Sequence, residues 1–407
     1  MPAESTLQSR TPPAPPIEVH APQAVTPAPC VPDLSPPIAR ATSTHVEIDS
    51  RRILAFAGCD YLALAHHPAV LAAAQRAIGR FGLSTTASRV TTGNTAAHDE
   101  LERDLARLLA QPAAIVVPDG FMANLALAQS LVARRHAGPP IDTALIDARA
   151  HRSIHDSAKA VGMTVNLYDH RDPASAAARL RAIGPRPVAI MTDGVFTADG
   201  AVAPAADLLA ILRTPDDALV IDDCHGVGVL GDARGTCHAQ HVSDPRLIIT
   251  TTLAKGLGCY GGAIAASGAA IADIRHAATA FICTTPIPPA VAAAASAAIH
   301  VAEHDAARRE RLARNAALLR EAIASLGVAL VNAPTPIAAF ALGTPPDVPA
   351  MQRIHTALLD RGILAPLIRY PAGPADRFFR LTVNADHTPE HVGVLRDALA
   401  EVARATI

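Results

Sequence analysis

Ala218-Leu219-Val220-Ile221-Asp222-Asp223-Cys224-His225 is an apolar run closed by a carboxylate, with a histidine three residues further on. A short continuous apolar run bounded by polar groups is the pattern of a strand buried on both faces, as in a parallel sheet covered by helices. Further candidate strands are Ala113-Val117, Ala144-Ile146, Thr164-Tyr168, Val188-Met191, Leu247-Thr250 and Ala263-Ala266, several of them nearly continuous apolar runs. Helical patterns accompany them, at Pro68 to Gly79 and at His98 to Leu109, where Leu101, Leu105 and Leu108 share one face. This alternation predicts an α/β fold with a mostly parallel sheet in a large domain. An alanine-rich helix over Pro289 to Ser325, a strand at Phe379 to Val383 and a last helix from Pro389 predict a smaller α+β C-terminal domain. The expected division is 41–300 for the large domain and 301–407 for the small one. Residues 1–40 hold eleven of the 34 prolines. Proline removes backbone donors and fixes φ, so this segment is expected to be a disordered arm.

Composition narrows the function. Of 407 residues, 50% are hydrophobic and 18% charged, enough apolar material for a large core. A net charge of -2 and 3% aromatics leave no cationic face for phosphates and few rings for stacking bases, so no nucleic-acid partner is expected. The longest apolar stretch, Pro286 to Ile299, falls short of the roughly 20 residues that span a bilayer, so no membrane span is expected. The N-terminus lacks a basic region followed by an apolar core, which argues against a secretory signal. Cys30, Cys59, Cys224, Cys237, Cys259 and Cys283 are scattered without a C-x-x-C pair. That spacing reads as reduced thiols in a cytoplasmic protein, with no metal site.

Sites in open parallel sheets lie beyond the carboxyl ends of the strands. The residues there form a concentrated set. Asp222 and His225 supply an anionic contact and a hydrogen-bond donor. Thr250-Thr251-Thr252-Leu253-Ala254-Lys255-Gly256 places Lys255, one of only two lysines in the chain, among hydroxyls and glycines. A lysine alone would read as a surface residue, but a desolvated one can form a Schiff base with a carbonyl. Asp119-Gly120-Phe121 follows a strand and opens a helix, whose first free amides suit a phosphate. His151 and His155 stand four residues apart, a spacing that would allow a metal, but no third ligand is near. A phosphate cradle, an aspartate for a ring nitrogen and a Schiff-base lysine together describe pyridoxal 5'-phosphate (PLP).

The motifs carry a resemblance as well. Cys59-Asp60-Tyr61-Leu62-Ala63-Leu64, the block from Ser88-Arg89 through Gly93 and His98 to Leu101-Glu102, and Gly120-Phe121-Met122-Ala123-Asn124 come first. His151-Arg152-Ser153-Ile154, Asp193-Gly194-Val195-Phe196-Thr197-Ala198-Asp199-Gly200, Asp222 to Gly228 and Thr252-Leu253-Ala254-Lys255 follow. Thr284-Thr285-Pro286, Arg380-Leu381-Thr382 and His387-Thr388 close the series. From about Cys59 onward the chain resembles the α-oxoamine synthases, PLP-dependent enzymes of fold type I.

The resemblance implies a decarboxylative Claisen condensation of an amino acid with an acyl thioester, of coenzyme A or a carrier protein, giving an α-amino ketone. It implies that Lys255 carries PLP and moves protons at the substrate α-carbon. Asp222 would hold the pyridine nitrogen, His225 would donate to the phenolic oxygen and His151 would stack on the ring. Gly120, Phe121, Thr197 and Thr252 would bind the phosphate or fix the ring, and Thr285 would reach the phosphate in the neighbouring subunit of a homodimer. Arg380 would hold the amino-acid carboxylate, with Thr382 close by. The departures are Cys59 for Asn, Asp193 for Glu, Thr197 for Ser and Cys224 for Ala, and Ser84 to Ser88 lack the usual glycines. The competing expectations are an aminotransferase of the same fold and a PLP-binding scaffold without turnover. His225 disfavours the first, since typical aminotransferases have Tyr there, and Lys255 disfavours the second.

Overall fold

The computed structural model describes residues 35–371 and 373–406, so most of the proline-rich arm lies outside the described residues. Three short strands, β1 (Arg40–Ala41), β2 (His45–Ile48) and β3 (Arg51–Ala55), lead to the helices α1 (Pro68–Phe81) and α2 (Ala96–Leu108). The central sheet follows: β4 (Ala113–Val117), β5 (Thr143–Asp147), β6 (Thr164–Tyr168), β7 (Ala189–Asp193), β8 (Ala218–Asp222), β9 (Leu247–Thr252) and β10 (Gly262–Ala266). Their spatial order is β4-β10-β9-β8-β7-β5-β6. Strands β5 to β9 run parallel, and β10 lies antiparallel to both neighbours. This is the α/β, mostly parallel architecture that the sequence predicts.

Alternate residues of one strand enter different cores. Leu219 and Ile221 join the core on one face of the sheet, and Ala218 and Val220 the core on the other. Because helices cover both faces, neither parity needs to be polar, and the strands read as unbroken apolar runs. Each such leucine or isoleucine contributes roughly 1.5–3 kcal/mol on burial. Since β4 is antiparallel to β10, which is antiparallel to β9, the ends of β4, β7, β8 and β9 all open on one edge.

The helix expected over Pro289 to Ser325 is two helices, Pro289–His304 and Ala306–Ala324. Asp305 separates them with φ -90 and ψ 77, and its carboxylate accepts the Arg308 amide at 2.9 Å. The alanine pattern runs straight through this break, so only the cap reveals it. Ala292, Ala295 and Ile299 of the first helix, which packs on α1 and α2, join the core on one face of the main sheet. Leu319 and Ile323 of the second enter a third core with Leu54 and Phe56 from the N-terminal side. The later strands are β11 (Ile337–Phe340), β12 (Ile363–Leu364), β13 (Leu367–Ile368) and β14 (Phe378–Thr382). Strand β12 extends the early hairpin as β1-β2-β3-β12, while β11-β14-β13 forms a three-stranded sheet. The last helix, Pro389–Thr406, closes this core through Val392, Leu395 and Leu399.

Candidate active site

At the open edge of the sheet a cavity of about 250 Å³ is lined by Asp119, Gly120, Phe121, His151, Ser153, Asp193, Thr197, Asp222, Cys224, His225, Thr252 and Lys255. Eight of the eleven residues given a role from the sequence are therefore brought to one place, while Thr285, Arg380 and Thr382 do not line it. Asp222 ends β8, with Asp193 beside it in register on β7. Its carboxylate accepts Asn124 Nδ2 at 2.7 Å and the Cys224 amide at 3.2 Å. Asn124 is fully buried in the helix α3 (Gly120–Val132), donates also to Ser153 Oγ at 2.9 Å and accepts from Thr250 Oγ1 at 2.8 Å. Its amide group is thus used on both sides, which locks the Asp222 carboxylate in place. The sequence quoted Asn124 only as part of a motif, and its helical position is the signal that could have marked it.

His225 is the hub of the polar wall. Its Nε2 lies 2.8 Å from Lys255 Nζ and 2.8 Å from Thr197 Oγ1, and its Nδ1 lies 2.8 Å from the Tyr61 hydroxyl. Burial, then the Lys255 charge, hold this imidazole well below the ordinary histidine range, so it is neutral. The His225 and Lys255 loops touch because both are glycine-lined. Gly228 has φ +81, and a Cβ there would lie 2.9 Å from the Gly256 Cα. His151 caps the helix α4 (Arg152–Ala160), with its Nδ1 2.7 Å from Ser153 Oγ and its amide donating to Asp193 at 2.9 Å. Burial and the neighbouring Asp222 push the Asp193 carboxyl well above its usual range. His155 does not line the cavity. Among the described residues no group of three or more His, Cys, Asp and Glu is placed to hold a metal ion.

The substrate side is less uniform. Arg380 Nε donates to the Thr197 carbonyl at 2.7 Å, while its Nη2 is buried without a hydrogen-bond partner. Thr382 instead turns its hydroxyl to the Gly58 carbonyl at 2.9 Å and lies outside the cavity. Thr285 is exposed and takes no part in the cavity of its own chain. Tyr61, quoted above only within a motif, and Tyr370, which carries no motif, are additions to the site. Tyr370 is half-buried beside Thr197, its pKa pushed up to about 12 chiefly by burial.

The cavity fits PLP. Asp119 caps α3 by accepting the Met122 amide at 2.8 Å, which leaves the amides of Gly120 and Phe121 free for a phosphate. A Cβ on Gly120 would stand 3.3 Å from both Cys224 Sγ and Thr252 Cβ, so only glycine keeps this corner open. Asp222 suits a ring nitrogen, and the Lys255 amine suits an aldehyde. These features define a PLP-dependent enzyme of fold type I.

The comparisons with known proteins agree. Residues 51–399 match the aminotransferase class I and II family. The 8-amino-7-oxononanoate synthase of Nitrosococcus oceani is 36% identical over 361 residues, spanning 88% of this chain and 93% of that protein. That of Thiobacillus denitrificans is 36% identical over 365 residues, spanning 89% and 92%. Among solved structures, serine palmitoyltransferase from S. paucimobilis with PLP and myriocin bound superposes with a TM-score of 0.83 at 26% identity, covering 90% of this chain and 91% of that one. The chain belongs to the α-oxoamine synthases, the acyltransferase branch of this fold. It is a PLP-dependent enzyme that condenses an amino acid with an acyl thioester with loss of carbon dioxide.

Proposed function

We propose that this chain condenses alanine with a seven-carbon acyl thioester that ends in a carboxyl group. The observation that carries the catalytic reading is the buried, unpartnered Nη2 of Arg380, which reaches the cavity of Lys255 through Thr197 and His225. An amino-acid carboxylate would supply the missing acceptor. The choice of substrates rests on relatives at 35–36% identity named for 8-amino-7-oxononanoate. In that product the carbons bearing and following the amine are what alanine retains after decarboxylation, and the rest is the acyl chain.

PLP, when bound, withdraws electrons from the α-carbon of the amino acid so that this carbon can attack the thioester. Lys255 Nζ would hold the cofactor aldehyde and, once free, the proton taken from the α-carbon. Asp222, oriented by Asn124, would hold the ring nitrogen. His225 and Thr197 would serve the phenolic oxygen, while Gly120, Phe121 and Thr252 would receive the phosphate. His151, kept below its ordinary range by burial, would pack on the ring.

A second reading, serine with a long-chain acyl thioester, is favoured by the superposition on serine palmitoyltransferase. To decide, the PLP-loaded protein is scanned through the near-ultraviolet and visible with alanine, serine and glycine, then supplied with each thioester. The expected result is a spectral change with alanine and 8-amino-7-oxononanoate with one thiol released per turnover. Faster turnover of serine with a palmitoyl thioester would install the second reading. Absence of any cofactor band, or full activity of Lys255→Ala, would remove the mechanism.

The homodimer belongs to the same proposal. It is supported by the position of Thr285 and by the exposed Leu83, Val90, Phe121 and Tyr260. Sedimentation should give the mass of two chains, and a monomer that binds PLP at full affinity would refute it. The proposed setting is the cytoplasm, in keeping with the five free cysteines among the described residues. Among those residues no helix is long and apolar enough to cross a membrane.

A further inference from the structure

We infer that Tyr61 is a positioning residue that sets the tautomer of His225, keeping the proton on Nε2 and turned toward Lys255. The inference rests on the reading of His225 as a neighbour of the cofactor and adds the group behind it. Tyr61 is 1% exposed, its hydroxyl lies 2.8 Å from His225 Nδ1, and the two rings are 6.0 Å apart. It is the only side chain hydrogen-bonded to Nδ1 among the described residues, so it decides what that nitrogen can be.

The direction of the hydrogen bond follows from the other groups around the phenol. Burial, with the Cys59 thiol acting the same way, holds the phenol well above its ordinary range, so it keeps its proton. Arg380 lies beside it and opposes that shift, but a guanidinium has donors and no acceptor. Arg380 therefore cannot accept the phenol proton. A thiol sulfur is a weak acceptor, whereas an imidazole nitrogen is a strong one. The Tyr61 O–H consequently donates to Nδ1, and the single proton of the neutral imidazole sits on Nε2. There it meets Thr197 Oγ1 at 2.8 Å, with Lys255 Nζ at the same distance. A free Lys255 ammonium would compete by donating to Nε2. With Lys255 Nζ engaged by the cofactor aldehyde, Nε2–H would be left as the donor on that side of the cavity.

The experiment uses the holoenzyme with histidine selectively labelled with 15N, His225 being identified by the resonances lost in His225→Gln. The expected result is an unprotonated Nδ1 and a protonated Nε2. A proton on Nδ1, or on both nitrogens, overturns the inference whatever any variant does. As a second measurement, the pH-dependent absorbance of bound PLP is titrated in wild type and in Tyr61→Phe. Without the phenol behind it the His225 donor supports the anionic phenolic oxygen less, so protons are held to higher pH. The midpoint should rise by on the order of one unit. A lowered melting temperature with an unmoved midpoint would make Tyr61 a packing residue and overturn the role. Failure of wild type to bind PLP would instead condemn the functional reading, and it is seen before any variant is made.

Discussion

Arg380 carries two obligations at once, a bond to the Thr197 carbonyl and an Nη2 with nothing to donate to. A buried donor left unsatisfied costs free energy that a bound carboxylate returns. Arg380→Ala should therefore raise KM for the amino acid by roughly 10- to 100-fold, the worth of hydrogen bonds to a charged group. It should lower kcat as well, because Thr197 loses its backbone tether. Arg380→Lys should recover little, since an ammonium cannot reproduce the planar fork. Steady-state kinetics with the amino acid varied at saturating thioester would separate the two effects, and an unchanged KM in Arg380→Ala would remove the carboxylate role.

At the level of elements, the start of α3 is shaped to leave room. Gly120 has no left-handed backbone requirement, so the argument for glycine here is space alone. In Gly120→Ala the added methyl would press on Cys224 and Thr252 at 3.3 Å and crowd the free amides. We expect PLP affinity to fall roughly 10- to 100-fold, through weakened bonds to a charged phosphate. The melting temperature of the apoprotein should change little. Equilibrium dialysis against PLP measures the first quantity and calorimetry the second. A variant that binds PLP like wild type would place the phosphate elsewhere.

For the whole molecule, the third core ties the two ends of the chain together, and histidines hold that seam. His387 receives the Asn384 amide at Nδ1, 3.1 Å away, and reaches the Ala55 carbonyl through Nε2 at 3.2 Å. Its ring lies against Phe56 and near His391, which in turn meets His45. Burial, with the neighbouring histidines, lowers its pKa to about 4. The unfolded chain takes up this proton below about 6.5 and the native one only near 4, so stability is intact above 6.5 and lost as pH falls toward 4. The contribution is roughly 3 kcal/mol. Asp223, whose pKa burial raises to about 6, acts in the opposite sense over part of that window. Denaturant unfolding at pH 7 and pH 5 should show wild type losing stability on acidification. His387→Gln should be less stable at pH 7 but flatter with pH. Equal slopes in the two proteins would exclude His387 as the source.

Most strands of the main sheet, and the residues waiting at their ends, were legible because burial on both faces writes itself as uninterrupted apolar runs; β6, at the edge of the sheet, carries Asn166 and is exposed at Thr164 and Leu167. Lys255, Asp222, His225, Gly120 and His151 could be read as one site because a parallel sheet gathers the ends of its strands on one edge. The break at Asp305 was not legible, since alanine periodicity continues through it and a cap is a matter of backbone angles. Nor could the sequence tell that Thr382 turns away to Gly58 while Arg380, two residues earlier, keeps a free Nη2. Successive residues of a strand face opposite sides, but Thr382 and Arg380 share a parity, and only the packed surroundings separate their roles. Tyr61 shows the same division most clearly. It lies 164 positions from His225 in the chain. Local pattern carries burial and strand order, whereas a hydrogen bond across that distance exists only once the cores have brought the two ends together.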